Sequence, residues 1–103
     1  MAKREIIEVL KEYISLLRSE GISVDKAFLY GSHLSNSATE DSDIDLLIVT
    51  ENAEDDYLTG KIWSLTKKVN SKIEPYIVNR SRFYSENHSP LIDIVRTDGL
   101  EIQ

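Results

Sequence analysis

Two carboxylates separated by one apolar residue, Asp43-Ile44-Asp45, stand at the head of the apolar run from Leu46 to Val49. The run is short, rich in β-branched residues and followed by polar ones, which predicts a buried strand. Side chains alternate along a strand, so Asp43 and Asp45 point to one face and Ile44 to the other. Carboxylates ~6.6 Å apart along one strand face repel each other unless a cation sits between them. All-oxygen ligands of this kind suit Mg²⁺, which is usually held by one or two carboxylates together with substrate phosphates. Gly31-Ser32, ten residues upstream of the pair, suits the other half of such a site. Glycine lets the backbone approach a phosphate, and the following hydroxyl and amides can hydrogen-bond it. Alone, an Asp-Ser-Asp run is ordinarily a solvated turn. An EF-hand using Asp41, Asp43 and Asp45 is excluded, because Leu46 and Asn52 stand where that loop needs Gly and Glu.

The elements that must position these groups can be read along the chain. Lys3 to Glu20 is expected to be a helix, with Ile6, Leu10, Tyr13, Ile14 and Leu17 at helical spacing, Val9 and Leu16 widening the stripe, and Gly21 as its stop. Lys26 to Tyr30 predicts a strand that delivers Gly31-Ser32 from its end. The polar segment between Ser32 and Asp43 predicts a short helix whose N-terminus faces phosphates. His33, within it, is read as a structural or solvent-exposed residue. Asn52 to Lys72 predicts a second long helix, capped by Asn52, with Leu58, Ile62, Leu65 and Val69 as its buried stripe. Lys67, Lys68 and Lys72 near its end read as a solvated face that complements the helix dipole. Trp63 lies beside the stripe, and nothing in the sequence explains Gly60, which costs a helix about 1 kcal/mol relative to Ala.

Lys72 to Val78 predicts a third strand, and Pro75 within it marks an edge strand or a bulge. Glu74 is the lone acid of that stretch. If the strand lies beside the one led by Asp43 and Asp45, the three acids converge. Ser81 to Asn87 is expected to form a short helical turn. Ser89-Pro90 opens a last helix that Gly99 stops, and Leu100 and Ile102 pack back on the body.

Composition sets the outer bounds. The 103 residues, 41% hydrophobic, predict a single domain spanning residues 1–103. The chain contains no cysteine, which excludes disulfides and thiolate metal sites. No apolar run approaches ~20 residues and the charged N-terminus lacks a signal-peptide core, so no membrane association and a cytoplasmic location are expected. A net charge of −6 argues against strong nucleic-acid binding. It leaves room for a nucleotide held through metal ions, which invert the local sign.

The combination of strand, Gly31-Ser32, ten residues, then Asp43-Ile44-Asp45 leading another strand resembles the nucleotidyltransferase superfamily related to DNA polymerase β, and within it the minimal nucleotidyltransferases. The resemblance covers nearly the whole chain, including Ile73-Glu74-Pro75 and the C-terminal SPLIDIVRTDGLEI. It implies an α/β fold, a small mixed β-sheet flanked by helices, with Glu74 as the third carboxylate. It further implies two Mg²⁺ ions, for which Mn²⁺ can substitute, about 3.5–4 Å apart on Asp43, Asp45 and Glu74. ATP would be the substrate, bound through Gly31 and Ser32. Where the family pattern often reads x-Ala-Arg-Gly after Gly-Ser, this chain has His33, Leu34, Ser35 and Asn36. Asn36 replaces Gly mildly, since Asn tolerates the left-handed conformation, whereas Ser35 removes a cation that could face a triphosphate. The resemblance points to adenylyl transfer onto a tyrosine of a small all-helical HEPN-type ribonuclease toxin, with this chain as antitoxin. Neutralisation by binding alone, or a small-molecule acceptor of aminoglycoside type, are the alternatives, and a homo-oligomer is compatible with each.

Overall fold

The apolar run that follows the paired acids becomes the centre of a sheet. A computed structural model describes residues 1–86 and 89–103. Helix α1 (Lys3–Ser19) leads to β1 (Lys26–Tyr30), the single turn α2 (Ser32–Ser35) and β2 (Ile44–Thr50). Next come α3 (Asp56–Leu65), a 3₁₀ turn (Thr66–Lys68), β3 (Ile73–Asn79), α4 (Arg80–Phe83), α5 (Pro90–Asp98) and β4 (Leu100–Glu101). The sheet runs β3-β2-β1-β4, with β2 parallel to β3 and the other pairs antiparallel. This is the small mixed α/β sheet that the sequence predicts.

Alternation along the strands divides the core in two. Leu29, Ile44, Leu46, Ile48 and Ile73 face α1 and α3, where Ile6, Leu10, Ile14, Leu17, Ile62 and Leu65 bury against them. Phe28, Leu47, Val49 and Val78 face the opposite side, packed by Phe83 of α4 and by Ile92 and Val95 of α5. Asp45 and Glu74 belong to this second face by the same alternation.

Helix α1 buries the predicted stripe and ends as its glycine demands. Gly21 has φ +82, its N–H donates to the Arg18 carbonyl at 3.0 Å, and the Ile22 N–H donates to the Leu17 carbonyl at 3.0 Å. This is a Schellman closure, which needs a left-handed residue at the helix exit. Asn36 likewise ends α2 with φ +64. Ser89 caps α5, its hydroxyl accepting from the Ile92 N–H, and Gly99 terminates it. Of the turn expected over Ser81 to Asn87, residues Arg80–Phe83 form α4, and Asn87 lies outside the described residues.

The second long helix is shorter than its periodicity predicts. Asn52 is not its cap: the Asn52 carbonyl accepts from the Asp55 N–H in a turn, and the Asp55 carboxylate caps α3 by accepting from the Leu58 N–H at 3.1 Å. At the far end the Thr66 hydroxyl and backbone N–H both turn to the Trp63 carbonyl. A threonine that bonds the preceding turn in this way competes with helix continuation. Lys67 and Lys68 therefore sit in the 3₁₀ turn, and Lys72 lies beyond it, bonding the Glu40 carbonyl. Trp63 is 46% exposed and so not core. A Cβ added at Gly60 would meet nothing within 4 Å, so packing does not explain that glycine either.

Pro75 falls on an edge strand, as expected. The Ile44 N–H donates to the Lys72 carbonyl at 2.8 Å, so alternate residues of β3 turn their backbone groups toward β2 and Pro75 turns outward. Its missing donor thus costs no ladder bond. Among the described residues no helix is long and apolar enough to cross a membrane.

One buried hydrogen bond ties α1 to α3. The fully buried Tyr13 hydroxyl donates to the Ile62 carbonyl at 2.6 Å, and burial pushes its phenol pKa up. Tyr13→Phe removes only the oxygen and strands that carbonyl. It is expected to lower unfolding stability by about 1–2 kcal/mol in urea denaturation, and an unchanged midpoint would show the bond to be without net value.

Candidate active site

Asp43 lies one residue ahead of β2 and is exposed; Asp45 is the second residue of β2 and half-buried. The parallel register pairs Asp45 directly with Glu74. Residues paired across neighbouring strands share a face at about 4.8 Å strand spacing. The register therefore brings Asp45 beside Glu74, at the N-terminal end of both strands. Glu74 is exposed, so its carboxylate carries no full burial cost.

Asp45 and Glu74 both feel the acids beside them. Asp45 is pushed above the usual carboxylate range by burial first, then by the charge of Asp43, while His33 draws it back. Glu74 is raised chiefly by a hydrogen bond with Asp43, then by desolvation and the charges of Asp43 and Asp45. Like charges held together disfavour ionisation in this way. Among the described residues, no three His, Cys, Asp or Glu side chains stand in one ready-made metal shell. The all-oxygen donors and their mutual repulsion nevertheless fit a hard divalent cation, which would relieve the strain that raises these pKa values.

The turn into Ser32 is built around Gly31. Its φ of +80 and ψ of −154 lie in a region open essentially to glycine alone. A Cβ there would stand 2.2 Å from Asp45 Oδ2. The missing side chain thus lets Asp45 lie against the backbone that leads into Ser32. Gly31 also offers its carbonyl to the N–H groups of Leu34 and Ser35, both at 3.1 Å, which forms the turn of α2. With four residues, α2 can present single N–H groups and a hydroxyl but not a developed dipole, less than the helix expected there. Ser35 is exposed and its hydroxyl bonds that of Ser37 at 2.8 Å.

His33 takes the structural role among those expected of it. It is half-buried, its Nε2 stands 3.4 Å from the Ser42 carbonyl, and its charge acts on Asp45. It therefore links α2 to the loop that carries Asp43. Tyr30, paired with Asp45 across the antiparallel ladder, is a residue the sequence does not single out. Only the register places it there. A separate cavity of about 480 Å³, lined by Glu51, Asn79, Arg80, Ser81 and Tyr84, lies at the other end of β2 and β3.

Residues 4–99 match the nucleotidyltransferase domain family, and the chain belongs to it. Members of this family transfer nucleotidyl groups, generally from nucleoside triphosphates and with divalent metals. The fold is similar to the crystal structure of a Sulfolobus solfataricus protein assigned as a nucleotidyltransferase, with a TM-score of 0.58 at 13% identity, over 79% of this chain and 73% of that one. No curated protein matches the chain significantly.

Two outcomes test this geometry. Gly31→Ala is expected to lose about 1–3 kcal/mol of stability, because the backbone must leave a conformation closed to alanine while Asp45 is displaced. An unchanged urea midpoint would contradict it. The acids set the second. Their folded pKa values are raised, so protonation favours the fold: the contribution is complete below the ordinary values of 3.8 and 4.5 and is lost as pH rises through the folded ones. In chelator, Asp45→Asn should therefore raise the melting temperature near pH 7 and lose that advantage near pH ~3.5. An equal shift at both pH values would remove charge repulsion from the account.

Proposed function

We propose that this chain transfers AMP from ATP to a protein acceptor, a tyrosine of a small all-helical HEPN-type ribonuclease toxin, and thereby acts as its antitoxin. The observation that carries the reading is the direct pairing of Asp45 with Glu74 beside the Gly31-Ser32 turn. Asp43, Asp45 and Glu74 would hold Mg²⁺ or Mn²⁺. Bound there, divalent cations supply positive charge to the triphosphate and lower the pKa of a coordinated oxygen.

The protein's own groups divide the remaining work. Ser32 and the amides after Gly31 bind the β- and γ-phosphates and align the α-phosphorus with the acceptor. The acceptor oxygen forms the new bond to that phosphorus, the bond to the bridging oxygen breaks, and pyrophosphate leaves. Glu74, a carboxylate at the acceptor side of the acid row, takes the acceptor's proton. His33 keeps α2 against the Asp43 loop so that both halves of the site hold together.

A second reading, neutralisation by binding alone, draws on the exposed Ser35, which brings no cation to the turn. Phosphoryl chemistry rests on positioning and charge together, so this loss slows transfer rather than ending it. The experiment mixes the protein with its helical partner, ATP and Mg²⁺ and follows the partner by intact-mass spectrometry. One added adenylyl group per tyrosine is expected, at a rate that falls by about 10²-fold in Glu74→Gln. An unmodified partner that is neutralised equally well by the Asp43→Asn, Asp45→Asn double variant would establish binding alone.

A further inference from the structure

The acid row has a third member that is not an acid. Tyr30 pairs with Asp45 across β1 and β2, and Asp45 pairs with Glu74 across β2 and β3. Residues directly opposite each other share a face, so Tyr30, Asp45 and Glu74 form one line across three strands. The next line inward is Phe28, Leu47 and Tyr76, and it is closed by the core packed under α4 and α5. Tyr30 thus stands where the apolar core gives way to the acid site. It is half-buried, its ring resting on that core.

Its hydroxyl is placed but unspent. Among the described residues it has no hydrogen-bond partner, although Asp45 and Glu74 both act on it electrostatically. The Asp45 carboxylate lies with Oδ2 against Gly31. Burial, then the charges of Asp45 and Glu74 and the neighbouring Tyr76, push the phenol up to about 12. A phenol is a neutral O–H at neutral pH without any shift, so the group is a donor by its chemistry alone. The two carboxylates beside it can only accept hydrogen bonds when ionised, and phosphate oxygens are acceptors too. Tyr30 also directly precedes the Gly31-Ser32 turn, and Ser35 brings that turn no cation.

We propose that the Tyr30 hydroxyl donates a hydrogen bond to a phosphate oxygen of the bound nucleoside triphosphate, making Tyr30 a substrate-contacting residue. The inference rests on the nucleotidyl-transfer reading above. It gives the row one donor among acceptors and fixes the triphosphate against the sheet as well as against the turn.

Isothermal titration with ATP and Mg²⁺, together with melting of the nucleotide-free protein, tests it. Tyr30→Phe is expected to weaken binding about 10-fold, as for loss of one bond to a charged group, with the nucleotide-free melting temperature unchanged. Tyr76→Phe, one line further from the turn, is expected to bind like wild type. Equal affinity in Tyr30→Phe and wild type overturns the inference and leaves the functional reading standing. So does a loss in Tyr76→Phe as large as that in Tyr30→Phe. A wild-type protein that binds no ATP with Mg²⁺ overturns both.

Discussion

Everything at the site depends on the parallel pairing of β2 with β3. The Ile44 N–H to Lys72 carbonyl bond opens that ladder and fixes Asp45 opposite Glu74. Because side chains alternate with period two, a slip of one residue would send Glu74 to the opposite face and bring Pro75 beside Asp45. The same slip would drive Ile73 and Ile77 out of the core they share with α1 and α3. The hydrophobic effect therefore enforces the register that the chemistry needs. Core and site are coupled through one set of backbone bonds, and neither can be retuned alone.

Much of this was legible in the sequence, for identifiable reasons. The first helix, β1 and the last helix carry strong local signals: a five-residue apolar stripe closed by Gly21, a short apolar strand, and a Ser-Pro start with a Gly stop. Gly31, Ser32, Asp43 and Asp45 were visible because spacing within a strand fixes which residues share a face. Glu74 was visible as the lone acid of its stretch, but its place beside Asp45 hung on the two strands being neighbours, which only the register supplies. The length of α3 was not legible, since Asp55 and Asn52 are both competent caps and tertiary context chose the former. Tyr30 was missed because only the β1–β2 register sets it opposite Asp45, and the partner of His33, the Ser42 carbonyl, lies across the loop from Asn36 to Ser42. Hydrophobic periodicity carries no information about such contacts.

Charge is distributed unevenly along the strands. At the acid end like charges crowd together, and the fold tolerates them because that end is open to water. At the opposite end Arg80 is bound by both Asp25, at 2.5 Å, and Glu51, at 2.6 Å, joining the entry to β1, the exit of β2 and the start of α4. Arg80 holds the Asp25 carboxyl below its usual range, mainly through their hydrogen bond. Compensated charge thus gathers where three elements are clamped together, and uncompensated charge at the end where Asp45 and Glu74 stand side by side.

The outward-facing proline in β3 bears on how this chain meets other proteins. β3 is a seven-residue edge strand, long enough to template a strand from a neighbour. Pro75 removes a donor near the strand's start, so an added strand would find its ladder broken within the first few bonds. Sheet extension along this edge, whether by another copy or by a misfolded chain, is blunted at the point nearest the acids. Contact along this edge is thus steered toward side chains and helices rather than toward shared backbone.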